Sequence, residues 1–300
     1  MNATGMDVSR FNLKAMTQPV VAVESYLADL IKQRPMSGNL RDAIQYALFG
    51  EGKRLRPLLV IRCCQAVGGK VEQAMAAAGA IELVHTFSLV HDDLPAMDDD
   101  DLRRGRSTLH KHTSESMAIL AGDAMNTLAF ELIATRVTDQ YLCATLVREL
   151  AVATNDMIAG QVYDTLPDFD SEIEPIDRLQ IIHRHKTASL LRAACRMGAI
   201  CGEAGASELD ALSQYAEAIG LMFQIVDDLL DVTQSTEQLG KVAGKDAGQG
   251  KLTYPGLLGV EISREEVARL HHEARSTLEQ FGDHADPLRE LCDYMAVREK

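Results

Sequence analysis

The sequence predicts an all-α protein, and three observations lead there. Apolar residues recur three and four apart almost throughout, as in residues 40–49 (LRDAIQYALF), 121–134 (AGDAMNTLAFELIA) and 209–232 (LDALSQYAEAIGLMFQIVDDLLDV). Alternating runs flanked by turn residues, the mark of strands, are scarce. Alanine, the best helix former, is abundant.

Each break between helices has a local cause. RPMSG (34–38) separates an N-terminal helix from the next. LPDFDSEIEP (166–175) is a polar, proline-bounded loop, after which IDRLQIIHRHKTASLLRAA restarts a helix. GKVAGKDAGQGKLTYP (240–255) is rich in glycine and lysine and reads as a flexible basic loop, and FGDHADP (281–287) breaks the last helices. None resembles an interdomain linker, so residues 1–300 are expected to form one domain.

Composition bounds the function. The 300 residues, 46% hydrophobic and 25% charged, are enough for a sizeable core. Thirty Lys and Arg against 44 Asp and Glu give a net charge of −14, which argues against a nucleic-acid partner but not against a phosphorylated ligand met by local basic clusters. Cys63, Cys64, Cys143, Cys195, Cys201 and Cys292 show no zinc-finger spacing and read as reduced, buried thiols. MNATGMDVSR has no signal-like apolar core, and no uninterrupted apolar run reaches the ~18 residues of a membrane span. The expectation is a cytoplasmic protein that is not membrane-embedded.

The chemistry gathers in two acidic clusters. HDDLPAMDDDD (91–101) follows an oily helix, GAIELVHTFSLV (79–90). Two like charges about 5 Å apart repel by roughly 3 kcal/mol at an effective dielectric near 20, so something must offset them. Asp92 and Asp98 would lie about 120° apart on a regular helix, but Pro95 cannot continue the helical ladder, and a local distortion could swing Asp98 back beside Asp92. The second cluster, FQIVDDLLD from Phe223, echoes the first: an aromatic residue, an apolar run, then paired aspartates. Asp227 and Asp231, four residues apart, share one helix face, with Asp228 about 100° round the turn. Hard carboxylate oxygens suit Mg²⁺, which binds through one or two carboxylates plus substrate phosphates.

Basic clusters supply the complement. Lys53, Arg54 and Arg56 lie in GEGKRLRP, Arg103, Arg104 and Arg106 in DDLRRGR, and Lys186 in HRHKT; the glycine-rich loop adds Lys241, Lys245 and Lys251. Arginine forks and lysine points clamp diphosphates. Acidic helical clusters, basic clusters and an oily all-helical chain together suggest metal and arginine gripping a diphosphate above a hydrophobic cavity.

These residues resemble the trans-isoprenyl diphosphate synthase family, in its bacterial farnesyl diphosphate synthase branch. The markers run over nearly the whole chain: GKRLRP, ELVHTFSLVHDDLPAMD, DDLRRG, LAGDAM, GQVYD, HKT, FQIVDDLLD and GKDAGQGKLTYP. The resemblance implies a single helical domain around a deep central cavity, usually a homodimer, that condenses isopentenyl diphosphate with dimethylallyl or geranyl diphosphate to farnesyl diphosphate. Geranylgeranyl diphosphate is the alternative product within the family. It further implies that Asp92 and Asp98 bind Mg²⁺ from the first motif and Asp227 and Asp231 from the second, with Asp93 and Asp228 beside them in the catalytic set. Lys53, Arg56, His85 and Arg104 match positions that hold isopentenyl diphosphate. Arg103, Lys186, Lys245 and Lys251 match those near the allylic diphosphate. Thr187 and Gln224 match positions facing the allylic cation, and Gln161 and Asp164 a polar pair at the mouth. Phe87, with Ser88 beside it, matches the floor that sets chain length, where an aromatic residue favours the fifteen-carbon product. His85 lies two helical turns before Asp92, on the same face. One departure is Glu51 in place of a glycine before Gly52; Gly52 is expected to keep the residue next to Lys53 flexible.

Other classes fit less well. An HD-type metal phosphohydrolase, prompted by His85 and His91-Asp92, would need histidine metal ligands, which the aspartate-only second cluster does not offer. An inert subunit of a heteromeric prenyltransferase should have lost an aspartate motif, and both are intact. A terpene cyclase does not need GKRLRP for a second diphosphate.

Overall fold

Stripes of apolar residues become helices that each bury one face, as when Val20, Val23, Leu27 and Ile31 turn inward from a single helix. The computed structural model describes residues 11–50, 52–233 and 252–298. In chain order the helices are α1 (Leu13–Thr17), α2 (Val20–Gln33), α3 (Gly38–Leu48), α4 (Leu55–Ala66) and α5 (Val71–Asp92). A two-stranded hairpin follows, β1 (Leu102–Arg103) and β2 (Arg106–Ser107), then α6 (Leu109–His112), α7 (Glu115–Arg136), α8 (Gln140–Thr165) and α9 (Pro175–His183). A π-helical turn, Arg184–Ala188, leads into α10 (Ser189–Cys201) and α11 (Ala206–Thr233). The last elements are α12 (Tyr254–Leu258), α13 (Val260–Thr277), a 3₁₀ segment (Glu279–Ala285) and α14 (Asp286–Val297). The all-α expectation holds, and the breaks at 34–38 and 166–175 fall where the sequence placed them; the last, expected at 281–287, lies earlier, at 278–285, with α14 already under way at Asp286.

Capping fixes two of the long helices. Ser114 Oγ accepts from the Met117 amide at 3.2 Å and starts α7. Asp139 Oδ1 accepts from the Leu142 amide at 2.7 Å and starts α8. α5 sits at the centre, packed against α4, α7 and α10, and is buried on most sides. α5 and α7 are long and apolar enough to cross a membrane by length and composition, although neither is an uninterrupted apolar run. For α5 the cause is core burial, since 72% of its most apolar window is inside; for α7 the figure is 44%.

The hairpin was not expected. Arg104 (φ 54°) and Gly105 (φ 74°) both occupy the left-handed region, as a two-residue I′-type turn requires. Tyr46 pins it: its hydroxyl donates to the Ser107 carbonyl at 2.8 Å, and the Arg106 guanidinium stands 4.2 Å over its ring. All six cysteines are free thiols, and all but Cys143 are buried.

Candidate active site

A cavity of about 1410 Å³ opens among α4, α5, the hairpin, α8, the π turn, α11 and α14. That exceeds the roughly 300–1,000 Å³ of ordinary small-ligand clefts. Met157, Ile158, Gln161, Val162 and Thr165 line it from one face of α8, at the spacing a helix imposes, and Leu166 lines it just past the helix end. Phe87 and Ser88 line it from α5, and Met295 and Tyr294 from α14.

The first acidic cluster bends as Pro95 suggested. The Asp98 amide donates to the Asp92 carbonyl at 2.9 Å, and Asp99 takes φ 49° to leave the turn. Burial pushes the Asp92 carboxyl up to about 6, with Asp98 and Asp93 pushing the same way and Lys186 and Arg103 opposing. Asp92 faces the cavity. Asp93 does not act beside it: it is 3% exposed, and its Oδ1 accepts from Arg103 Nε at 2.7 Å and pairs with Arg103 Nη2 at 2.6 Å. Successive helical residues point about 100° apart, so Asp93 holds the arginine that reaches the cavity rather than reaching it itself.

The second cluster divides likewise. Asp227 lines the cavity with its side chain 40% exposed. Asp228 is buried, and its Oδ2 accepts from the Tyr254 amide at 2.9 Å, tying α11 to the start of α12. Asp228 thus anchors α12 to α11. Asp231 is buried at 5% exposure and is not among the cavity-lining described residues. Arg298, which the sequence reading missed, lines the cavity, and its Nη2 donates to Asp227 Oδ1.

Thr187, Gln224 and Lys186 line the cavity together. Lys186 lies in the π turn, a distortion frequent at functional sites. Its Nζ donates to Asp164 Oδ2 at 2.5 Å. Burial alone would lower the lysine, but Asp164, with Asp92 and Asp98, outweighs it and holds the charge. Asp164 positions Lys186 from outside the cavity lining, while Gln161 lines it and donates to Thr165 Oγ1 at 3.2 Å.

Lys53, Arg56, His85 and Arg104 line one region of the same cavity. Burial drives the His85 imidazole well below its ordinary value, and Arg56, Arg104, Arg103 and Arg54 add to this, so the ring is neutral at pH 7. Burial lowers Arg56 to about 10, opposed by Glu82, which leaves it charged. Gly52 has a different reason from the one expected: its φ is not in the left-handed region, and a Cβ there would strike the Arg104 guanidinium. The glycine provides space rather than flexibility. Lys241, Lys245, Lys251 and Glu51 lie outside the described residues.

The donor set fits Mg²⁺. Asp92 and Asp227 bring carboxylate oxygen to the cavity wall, and among the described residues no group of three or more His, Cys, Asp or Glu side chains could hold a metal ion by itself. A cation that prefers one or two carboxylates plus substrate phosphates suits such a set. The two histidines beside the first motif are otherwise engaged: His91 Nε2 lies 3.1 Å from the Ile119 carbonyl, and His85 sits among arginines.

Residues 37–291 match the polyprenyl synthetase family. The chain belongs to the polyprenyl synthetase family. It is a prenyltransferase, with the all-α isoprenoid synthase fold. It is 48% identical over 276 residues to geranylgeranyl pyrophosphate synthase 11, chloroplastic, of Arabidopsis thaliana, covering 89% of this chain and 76% of the relative. A putative farnesyl-diphosphate synthase from a Marinomonas species superposes with TM-score 0.81 at 37% identity, covering 96% of this chain and 100% of the other. A farnesyl/geranylfarnesyl (FPP/GFPP) synthase from Zymomonas mobilis gives 0.83 at 34%, covering 95% and 99%. The Arabidopsis relative is chloroplastic by name, which overturns the cytoplasmic expectation. That expectation rested on the absence of a leader-like segment, and where this chain begins carries no information on the point.

Proposed function

We propose that this prenyltransferase, as one domain, condenses isopentenyl diphosphate with allylic diphosphates and releases geranylgeranyl diphosphate. The observation that carries the reading is one cavity holding both an acidic face, Asp92 and Asp227, and a basic one, Lys53, Arg56 and Arg104, above an apolar lining. The product is taken from the relative at 48% identity. Farnesyl diphosphate is the second reading, favoured by Phe87 on the cavity wall and by the Marinomonas neighbour.

In this reading Arg103, fixed by Asp93, and Lys186, fixed by Asp164, hold the allylic diphosphate. Mg²⁺, when bound at Asp92, Asp98, Asp227 and Asp231, supplies positive charge to the departing diphosphate. The allylic C–O bond breaks, the isopentenyl double bond forms the new C–C bond, and the proton lost goes to the departed diphosphate. Thr187 and Gln224 turn oxygen toward the allylic cation, and the apolar lining keeps water from it. Neutral His85 donates or accepts a hydrogen bond at the isopentenyl site without adding charge. Lys245 and Lys251 are assigned to the allylic diphosphate by the family resemblance alone. The protein is proposed to be a homodimer, supported by the exposed apolar side chains Leu120 of α7 and Val152 of α8.

The test is incubation with Mg²⁺, radiolabelled isopentenyl diphosphate and, in turn, dimethylallyl, geranyl and farnesyl diphosphates, followed by sizing of the products. A twenty-carbon main product supports the proposal. A product that stops at fifteen carbons decides for the second reading, and no extension of any partner overturns both.

A further inference from the structure

Glu82 lies in α5, one turn before His85, and opens the ELVHTFSLVHDDLPAMD motif without having been given a role there. It is 3% exposed, yet it borders the cavity. Its Oε1 accepts from Arg54 Nη1 at 3.0 Å. Arg54 spends its other donors inside the protein: Nη2 reaches the Leu48 carbonyl at 2.6 Å and the Gly50 carbonyl at 2.9 Å, and Nε reaches Glu24 Oε1 at 3.0 Å. Its backbone is left-handed, φ 47°, between Lys53 and the start of α4 that carries Arg56. The first arginine of GKRLRP is therefore committed to the protein's own interior rather than to a diphosphate. It staples the segment carrying Lys53 and Arg56 to the end of α3, to α2 and to α5.

The second Glu82 oxygen, Oε2, has no hydrogen-bond partner among the described residues, and neither has Arg56 Nε; both are buried. A buried carboxylate with an unused oxygen is costly unless cations surround it. Three do: Arg54, Arg56 and Arg104 each oppose the burial that raises the Glu82 carboxyl.

We propose that Glu82 is the positioning residue of the isopentenyl diphosphate site: it fixes Arg54, and thereby the backbone that sets Lys53 and Arg56, and it holds Arg56 and Arg104 together in the empty cavity. Like-charged guanidiniums forced together repel, and without a buried counter-charge they would splay before the diphosphate arrives. Preorganised donors bind an anion without that reorganisation. The inference rests on the reading that Lys53, Arg56 and Arg104 bind the second diphosphate.

The experiment compares Glu82→Gln, Arg54→Lys, the double variant and the control Arg56→Ala in the full chain. Binding of isopentenyl diphosphate and of geranyl diphosphate is measured separately by calorimetry with Mg²⁺ present, alongside steady-state rates. Glu82→Gln is expected to weaken isopentenyl diphosphate about tenfold or more, to leave geranyl diphosphate within about twofold, and to raise the KM for isopentenyl diphosphate much more than it lowers kcat. Arg54→Lys, which keeps the charge but loses the fork, is expected to do the same. The double variant should lose no more than the worse single change, because the two residues act as one unit. Retained geranyl diphosphate binding shows that each variant is folded, and Arg54→Lys carries the test if Glu82→Gln does not fold. Glu82 as a plain opposing charge predicts the reverse sign, so tighter or unchanged isopentenyl binding in Glu82→Gln overturns the proposal, as do additive losses. If Arg56→Ala also leaves that binding unchanged, the reading of the site itself has failed.

Discussion

Arg298 Nη2 donates to Asp227 Oδ1 at 2.6 Å, and its guanidinium carbon stands 4.0 Å over the Phe223 ring. The same nitrogen reaches the Phe223 carbonyl at 3.1 Å. A buried cation near the C-terminus thus rests on the carboxylate that faces the cavity from the second acidic cluster. A divalent cation taken up at Asp227 has to share that oxygen or displace the arginine. Arg298→Ala should therefore tighten Mn²⁺ binding by the substrate-free protein about three- to tenfold, the equivalent of about 0.6–1.4 kcal/mol. It should also lower the metal-free unfolding free energy by about 1 kcal/mol, the cost of losing a charged hydrogen bond to a carboxylate whose side chain is 40% exposed. Mn²⁺ titration followed by electron paramagnetic resonance reads the first effect. Weaker or unchanged Mn²⁺ affinity would show that the arginine does not compete.

Two glycines should behave oppositely. A Cβ on Gly52 meets the far end of Arg104, which can swing away, whereas a Cβ on Gly160 meets the backbone of His185 and Lys186, with the His185 carbonyl carbon at 2.6 Å. Gly52→Ala should change stability by less than about 1 kcal/mol while raising the KM for isopentenyl diphosphate. Gly160→Ala should destabilise by about 1–3 kcal/mol or more, the range for overpacking a tight contact, and disturb Lys186 with it. Thermal unfolding beside steady-state kinetics separates them. A Gly52→Ala variant with normal isopentenyl kinetics would remove the spatial reason for that glycine.

Helices and their ends were legible because periodicity, proline and capping residues act locally. Asp98 folding back to Asp92 was legible too, since Pro95 forbids the straight continuation. The division of labour within each Asp-Asp pair was available from the 100° step of the helix, yet the resemblance grouped Asp93 and Asp228 with their neighbours. Other features needed tertiary contact. The π turn depends on α8 coming close at Gly160. Arg54 looks like one more cation of a basic string until its donors are traced to Glu24 and Glu82, thirty and twenty-eight residues away. Arg298 stands seventy-one residues from Asp227, and no local pattern joins them.

Phe87 is 6% exposed on the cavity wall, with its ring edge-to-face on His91 at 5.8 Å. The His91 Nε2 faces the Ile119 carbonyl, which only accepts, so that nitrogen carries the proton. Gly122 leaves the room this imidazole occupies. At about 1.5 Å per residue, Phe87 sits roughly 7.5 Å along α5 from Asp92. Phe87→Ala should retain activity and lengthen the main product beyond that of the unmutated protein, whichever length that is. It should also destabilise by about 3–5 kcal/mol, so circular dichroism belongs beside the product chromatography. A folded, active variant with unchanged product length would show that Phe87 is core and that the chain stops elsewhere.

His183 offers a test of the fold through pH. It ends α9, is 6% exposed, stacks on Tyr254 with ring centres 5.8 Å apart, and its Nδ1 has no partner among the described residues. Burial lowers its imidazole from 6.5 to about 4, with Lys186 pushing the same way and Asp164 and Asp227 opposing. The unfolded chain therefore takes up a proton near pH 6.5 that the folded chain refuses until about pH 4. Between these values the unfolded state binds more protons, so stability rises with pH; the contribution is complete above 6.5 and is lost as pH falls through 4. Its ceiling is about 3 kcal/mol, at 1.36 kcal/mol for each pH unit of difference. His85 is lowered as well and adds a slope of the same sign, so His183→Gln should flatten only part of the dependence. Urea unfolding of both proteins from pH 4.5 to 7.5 measures it. The curves should converge toward low pH, and parallel curves would mean that His183 is protonated in the folded protein.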